Sequence, residues 1–167
     1  MKSLTLKNYF FLADPNDQSI ESLQEWLAKQ MLHGKISRAR TRFIKLIIPQ
    51  VKELEEERLK LLQEYAEKRK EKDKDVIVYF DKNDKKTTDA NEGVKYVMKD
   101  MDRFVKEYGE LVNEEFVIDV TPANQETIYG VRDLILNTES AFVGRMAMRY
   151  DEWCSCFEDI KEQKLDK

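Results

Sequence analysis

Histidine occurs once in this chain, at His33, so a histidine pair, a zincin motif or a histidine-based catalytic triad has no material. A lone histidine before Gly34 is expected to sit at a helix end, against the C-terminal dipole. Cysteine occurs twice, at Cys154 and Cys156. Two residues apart on a helix, they point in different directions and neither pair easily nor clamp a zinc ion, so reduced thiols are expected. Five glycines and three prolines leave little material for tight turns and favour few, long helices. No apolar run approaches the roughly 18 residues of a membrane span. The opening segment has too short an apolar patch and no small-residue cleavage site for a signal peptide, which implies the cytoplasm. Also missing are a glycine-rich phosphate loop, a nucleophile elbow and a C-x-x-C pair, so an enzyme is not expected and no cofactor is implied.

What the chain has in abundance is charge. Of its 167 residues 37% are Asp, Glu, Lys or Arg, with a net charge of −4. That balance is uneven. Residues 1–52 hold nine basic and four acidic side chains, and residues 53–167 hold twenty and twenty-nine. The sign changes within HGKISRARTRFIKLIIPQVKELEEE, where seven cations between Trp26 and Lys52 meet Glu53, Glu55, Glu56 and Glu57. Such a dipolar chain offers a basic patch while remaining acidic overall.

Periodicity supplies the elements. Ser3–Lys7 alternates as a strand. Ile20, Leu23, Trp26, Leu27, Met31 and Leu32 step as a helix that Asp17 or Ser19 caps and Gly34 ends as a left-handed C-cap. Ser37 then reads as the N-cap of a helix to about Lys72, with a stripe from Phe43, Ile44, Ile47, Ile48, Val51, Leu54, Leu61, Leu62 and Tyr65, bent near Pro49. Asp75–Asp81 is a strand by propensity, with residues 86–89 as its return. Val94, Val97, Met98, Met101, Phe104, Val105, Tyr108, Leu111 and Val112 form a heptad-like seam, the mark of a helix packed along a partner. Phe116–Val120 is a strand, with Thr121 and Pro122 opening a helix lined by Ile128, Val131, Leu134 and Ile135. Phe142, Met146, Tyr150, Trp153, Phe157 and Ile160 line a last helix, and the tail Lys161–Lys167 is expected to fray.

Together these predict a single α+β domain over residues 1–167, mainly helical. Its spine is a long antiparallel, coiled-coil-like helical hairpin over 37–114, the first arm on the order of 50 Å long. A small β-hairpin at 75–89 forms the tip; residues 1–34 and 115–160 form the base, a short sheet made by strands 3–7 and 116–120 with two C-terminal helices. Leftover apolar seam residues imply self-association.

The candidate sites are few. Asp81, Asn83, Asp89 and Glu92 fall at the ligand positions 1, 3, 9 and 12 of a calcium loop, but Lys85 and Lys86 occupy the fifth and sixth, so a hydrated turn is expected and no metal. Asp100 with Asp102, and Glu114 with Glu115, do not converge on a helix and read as solvated surface. Arg38, Arg42 and Lys45 lie within about 60° of one another on a helix, with Lys52 nearby, opposite the apolar stripe. That stripe fits a solvated face, a contact to an acidic protein, or a phosphate-tracking surface. Against nucleic acid stand the glutamates that follow and the lack of an aromatic among the arginines. Arg40 falls on the apolar side and is expected to reach a carboxylate or carbonyl at the helix start.

Two motifs resemble a known family: Gly34-Lys35-Ile36-Ser37-Arg38-Ala39-Arg40-Thr41-Arg42-Phe43-Ile44-Lys45-Leu46 before a glutamate-rich helix, and Asn113-Glu114-Glu115-Phe116-Val117-Ile118-Asp119-Val120. They are similar to a family of short proteins of tailed phages of Gram-positive bacteria, the domain of unknown function numbered sixteen-seventeen, over Leu4 to about Ile160. The resemblance implies a phage or prophage protein acting in the bacterial cytoplasm on a host or phage protein, whether host machinery, a defence system or virion assembly. It transfers no catalytic residue. A nucleic-acid binder, or a nucleic-acid mimic using the acidic stretches 53–71 and 100–115, is the alternative.

Overall fold

A computed structural model describes residues 2–162, an α+β fold that is mainly helical. Its helices are α1 (Leu23–Lys29), α2 (Gly34–Tyr65), α3 (Met101–Asn113), α4 (Gln125–Leu136) and α5 (Gly144–Glu158). The strands are β1 (Lys2–Lys7), β2 (Lys68–Glu71), β3 (Lys74–Ile77), β4 (Tyr79–Asp81), β5 (Lys86–Thr87), β6 (Gly93–Tyr96), β7 (Glu115–Val120) and β8 (Lys161–Glu162). The chain forms two compact units, Met1–Lys52 with Val112–Lys167, and Glu53–Leu111.

In the first unit the two outlying strands pair as expected. β1 and β7 run antiparallel from Lys2↔Val120 to Lys7↔Glu115, and β8 pairs β1 at Lys2 and Ser3, giving the order β7-β1-β8. The residues of the tail beyond β8 lie outside the described ones. Alternation sends Leu4, Leu6 and Ile118 inward. Phe10 and Phe11 of a 3₁₀ turn, Phe43 and Ile47 of α2, Ile128, Val131 and Ile135 of α4, and Trp153 and Phe157 of α5 are buried with them and make the core of this unit. Aromatic rings join the helices: Trp26 lies 5.8 Å from Trp153, and Phe43 lies 5.9 Å from Phe157.

Several helix ends differ from expectation, each for a local reason. Neither Asp17 nor Ser19 caps α1; Asp17 instead accepts the Ser19 N–H at 3.0 Å inside a turn. The cap is Ser22, which exchanges 3.3 Å bonds with Glu25 in a capping box. α1 stops at Lys29 because Gln30 is extended, and Met31 leaves the apolar face to stand 96% exposed. Gly34 does take a left-handed φ of +56°, but as the first residue of α2, so Ser37 is inside that helix and not its cap. Pro49 also lies inside α2. Thr121 starts a turn whose Asn124 precedes α4, and Phe142 lies before α5, its ring stacked 4.2 Å from Tyr150.

In the second unit α2 ends at Tyr65, not at Lys72, since the charged run Glu67–Lys74 has no apolar face to bury and pairs as strands. β2 and β3 join through Lys72 and Asp73, both at positive φ. The expected strand 75–81 is β3 and β4 with Val78 between them, and β5 is the expected return. The seam over 94–112 is not one helix: Val94 is on β6, and α3 starts at Met101. A ring of three backbone bonds explains the break. The Val78 N–H donates to Glu67 O (2.9 Å), Val97 N–H to Val78 O (3.1 Å) and Glu67 N–H to Val97 O (2.7 Å). Val78 and Val97 are buried there. Of α3 only Leu111 is buried, while Met101 and Val105 are 54% and 58% exposed.

Candidate functional site

The basic stripe belongs to the first unit, on the opening turns of α2. Arg40 behaves as its position demands: its guanidinium turns back to donate to the Gln30 carbonyl and to Ser37 Oγ (3.3 Å). Arg38, Arg42, Lys45 and Lys52 are all exposed, as is Lys35. Among the described residues none of these five has a carboxylate within ion-pairing distance, whereas Lys7, Lys29, Arg58, Lys70, Lys86, Lys95, Arg132 and Arg145 each hold one.

The structure separates this set. Arg38 and Arg42, with Lys35, line one wall of a groove of about 440 Å³ whose other wall is α4, carrying Glu126 and Asp133. Lys45 and Lys52 do not line it. Ile36, Ala39, Thr127 and Gly130 complete the lining. The two helices approach closely because Gly130 has no side chain: a Cβ there would sit 2.9 Å from the Ala39 Cβ. Asp133 is held by Arg132 at 3.1 Å, and Arg132 in turn lies over the Tyr129 ring at 4.7 Å. The groove is therefore bipolar, with three cations on its α2 side that hold no ion pair among the described residues and two acids on its α4 side. It can grip a surface group of acidic character from the α2 side; it offers no nucleophile beside a base.

The α4 wall was not anticipated from sequence. The available signal was Gly130 in the interior of a helix whose Ile128, Val131 and Ile135 face the core, since glycine within a helical pattern marks a close backbone approach. A second arrangement also escaped notice because it joins three strands. The register sets Lys86 and Lys95 on either side of Phe80 in one sheet, with Lys95 Nζ 5.3 Å from the Phe80 ring. Both lysines are engaged, Lys86 with Glu67 (3.0 Å) and Lys95 with Asp84 (3.2 Å).

The remaining candidates are placed as follows. The Asp81 carboxylate accepts the N–H groups of Lys85 (3.0 Å) and Asn83 (2.8 Å), which hold it below the usual carboxylate range and make this a hydrogen-bonded turn. His33 is exposed just before α2. Cys154 and Cys156 are half-buried free thiols, and burial raises both above the ordinary thiol range, which keeps them protonated. None of the described helices is long and apolar enough to cross a membrane. A scan against protein-family models and searches of the curated proteins and the solved structures return no match.

Proposed function

We propose that this chain is a non-enzymatic accessory protein that binds an acidic face of a partner protein through Lys35, Arg38 and Arg42, with Lys45 and Lys52 extending the field. The observation that supports it is the row of five exposed cations on residues 35–52 of α2, a stretch with no acidic residue; none of the five has an ion-pair partner among the described residues. Leaving charges unpaired gives up little stability, because exposed ion pairs contribute only about 0–1 kcal/mol each, but it keeps them free for a partner. The phage or prophage setting, and with it the bacterial cytoplasm and a host or phage target, rests on the two motif resemblances alone. An antiparallel helical hairpin that presents leftover seam residues such as Met101 and Val105 to a second copy belongs to the same reading.

Capture from a bacterial lysate tests it. The wild-type chain is expected to retain a specific protein at micromolar concentration, and Arg38→Glu with Arg42→Glu to lose it while the circular dichroism spectrum is unchanged. A gel shift with DNA and RNA at two salt concentrations is the counter-test. Retarded nucleic acid whose affinity falls steeply with salt, and is lost in the same double variant, replaces the protein-contact reading with a nucleic-acid one.

A further inference from the structure

The sheet of the first unit ends on one side in β7, a six-residue strand with no further strand paired beyond it among the described residues. The Asn8 N–H donates to Glu114 O at 3.0 Å, which fixes the phase of the β1–β7 ladder. Alternation from that pair directs the backbone groups of Phe116, Ile118 and Val120 toward β1 and those of Glu115, Val117 and Asp119 outward. The outward Asp119 carbonyl is closed by Asn124 Nδ2 at 2.9 Å. Among the described residues the outward N–H and C=O groups of Glu115 and Val117 have no such cover.

Natural edges are blunted by charged side chains, most often lysine, by proline or by a bulge, and the charges that β7 carries at its outward positions are both acidic, Glu115 and Asp119. β7 has no lysine and no proline, and its register with β1 is regular throughout. All three outward residues are exposed, Val117 by 53%. We propose that the outer edge of β7 is a docking site for an extended segment of another protein that adds a strand to this sheet and carries basic residues on either side of an apolar one.

Charge decides the occupant. A second copy pairing antiparallel must match its own outward residues; the full register centres on Val117 and sets Glu115 opposite Asp119 twice. Like charges directly opposite destabilise a strand pair. A lysine or arginine facing Glu115 and another facing Asp119 turn both positions favourable, while an apolar side chain between them covers Val117. Lys7, 2.9 Å from Glu115 on β1, shows the same pairing already made on the other side of the strand. Main-chain bonds supply the affinity in this mode and the alternate side chains the specificity.

The probe is a short end-capped peptide with Lys, Val and Lys at alternate positions between threonines, added to the full chain. Amide hydrogen exchange is expected to slow at Glu115 and Val117, and binding to weaken with salt. Val117→Pro removes an outward N–H and no ladder bond, so it is expected to weaken the peptide at least about tenfold with little change in Tm. Asp119→Lys, which leaves the backbone intact, is expected to weaken this peptide and favour one with glutamates in place of the lysines. Unprotected amides at Glu115 and Val117, or binding that survives both variants, overturn the proposal. So does self-association in sedimentation that Val117→Pro abolishes, because the edge then belongs to a second copy.

Discussion

Gly130 and Ala39 meet where α4 crosses the basic turns of α2, and their contact sets the width of the groove. Replacing an interior helical glycine by alanine normally gains about 1 kcal/mol. Here the added methyl would lie 2.9 Å from a Cβ that cannot rotate away, so the helices must part. Overpacking of that kind costs about 1–3 kcal/mol, which matches the gain at its low end and exceeds it over the rest of the range. Gly130→Ala is therefore expected to lower stability in urea denaturation, and Ala39→Gly in the same chain to restore much of it, a coupling that separate single variants would not show. Individual residues differed in how far the sequence announced them. Arg40 was readable, since a cation on an apolar helix face must find a carbonyl or carboxylate, and it reaches Gln30. The capping box was written as Ser22-x-x-Glu25 but lay inside the expected helix, hidden by Ile20, which is buried without being helical. The Gly130 contact depends on a helix 91 residues away in sequence from its partner Ala39, and no local pattern carries that.

At the scale of elements, the strands β1 and β7 and the helices α4 and α5 were legible because their apolar period matched their burial. The seam over 94–112 misled because Val94, Val97 and Met98 continue a helical spacing while Val97 is needed in the hydrogen-bonded ring with Val78 and Glu67. Tertiary pairing overrides local period in such a short segment. The charged run after Tyr65 misled in the opposite way: it has good helix formers, yet no apolar stripe to hold a helix against anything. It turns instead through Lys72 and Asp73, at φ +48° and +64°, between the paired residues Glu71 and Lys74. A two-residue hairpin loop with both φ positive is the type I′ geometry, which favours Asn-Gly. Each side chain in that left-handed region costs about 1 kcal/mol. Lys72→Asn with Asp73→Gly is expected to stabilise the hairpin by about 1 kcal/mol, seen as slower exchange of the β2 and β3 amides, whereas Asp73→Val is expected to speed it.

Across the whole molecule, charge is distributed more evenly between the two units than the sequence halves suggest. The unit of residues 1–52 and 112–167 carries 15 basic and 16 acidic side chains, because the acidic C-terminal segment folds back with the basic N-terminal one. Its field is therefore local: cations concentrate on Lys35–Lys52 of α2, and the nearest opposing wall is acidic. A near-neutral body with one cationic ridge steers an acidic surface toward that ridge without attracting it elsewhere. The two groups of cations then have different kinetic roles. Lys45 and Lys52 lie outside the groove and act over distance, so Lys45→Gln with Lys52→Gln is expected to reduce the association rate several-fold at low salt and little at high salt, where screening has removed the same contribution. Arg38 and Arg42 line the groove, and Arg38→Gln with Arg42→Gln is expected instead to raise the dissociation rate at both salt concentrations. Stopped-flow mixing with poly-glutamate as a surrogate acidic surface reads both rates. Equal effects of the two double variants on association, with dissociation unchanged, would mean that the groove makes no contact of its own and that the ridge acts only as a charge.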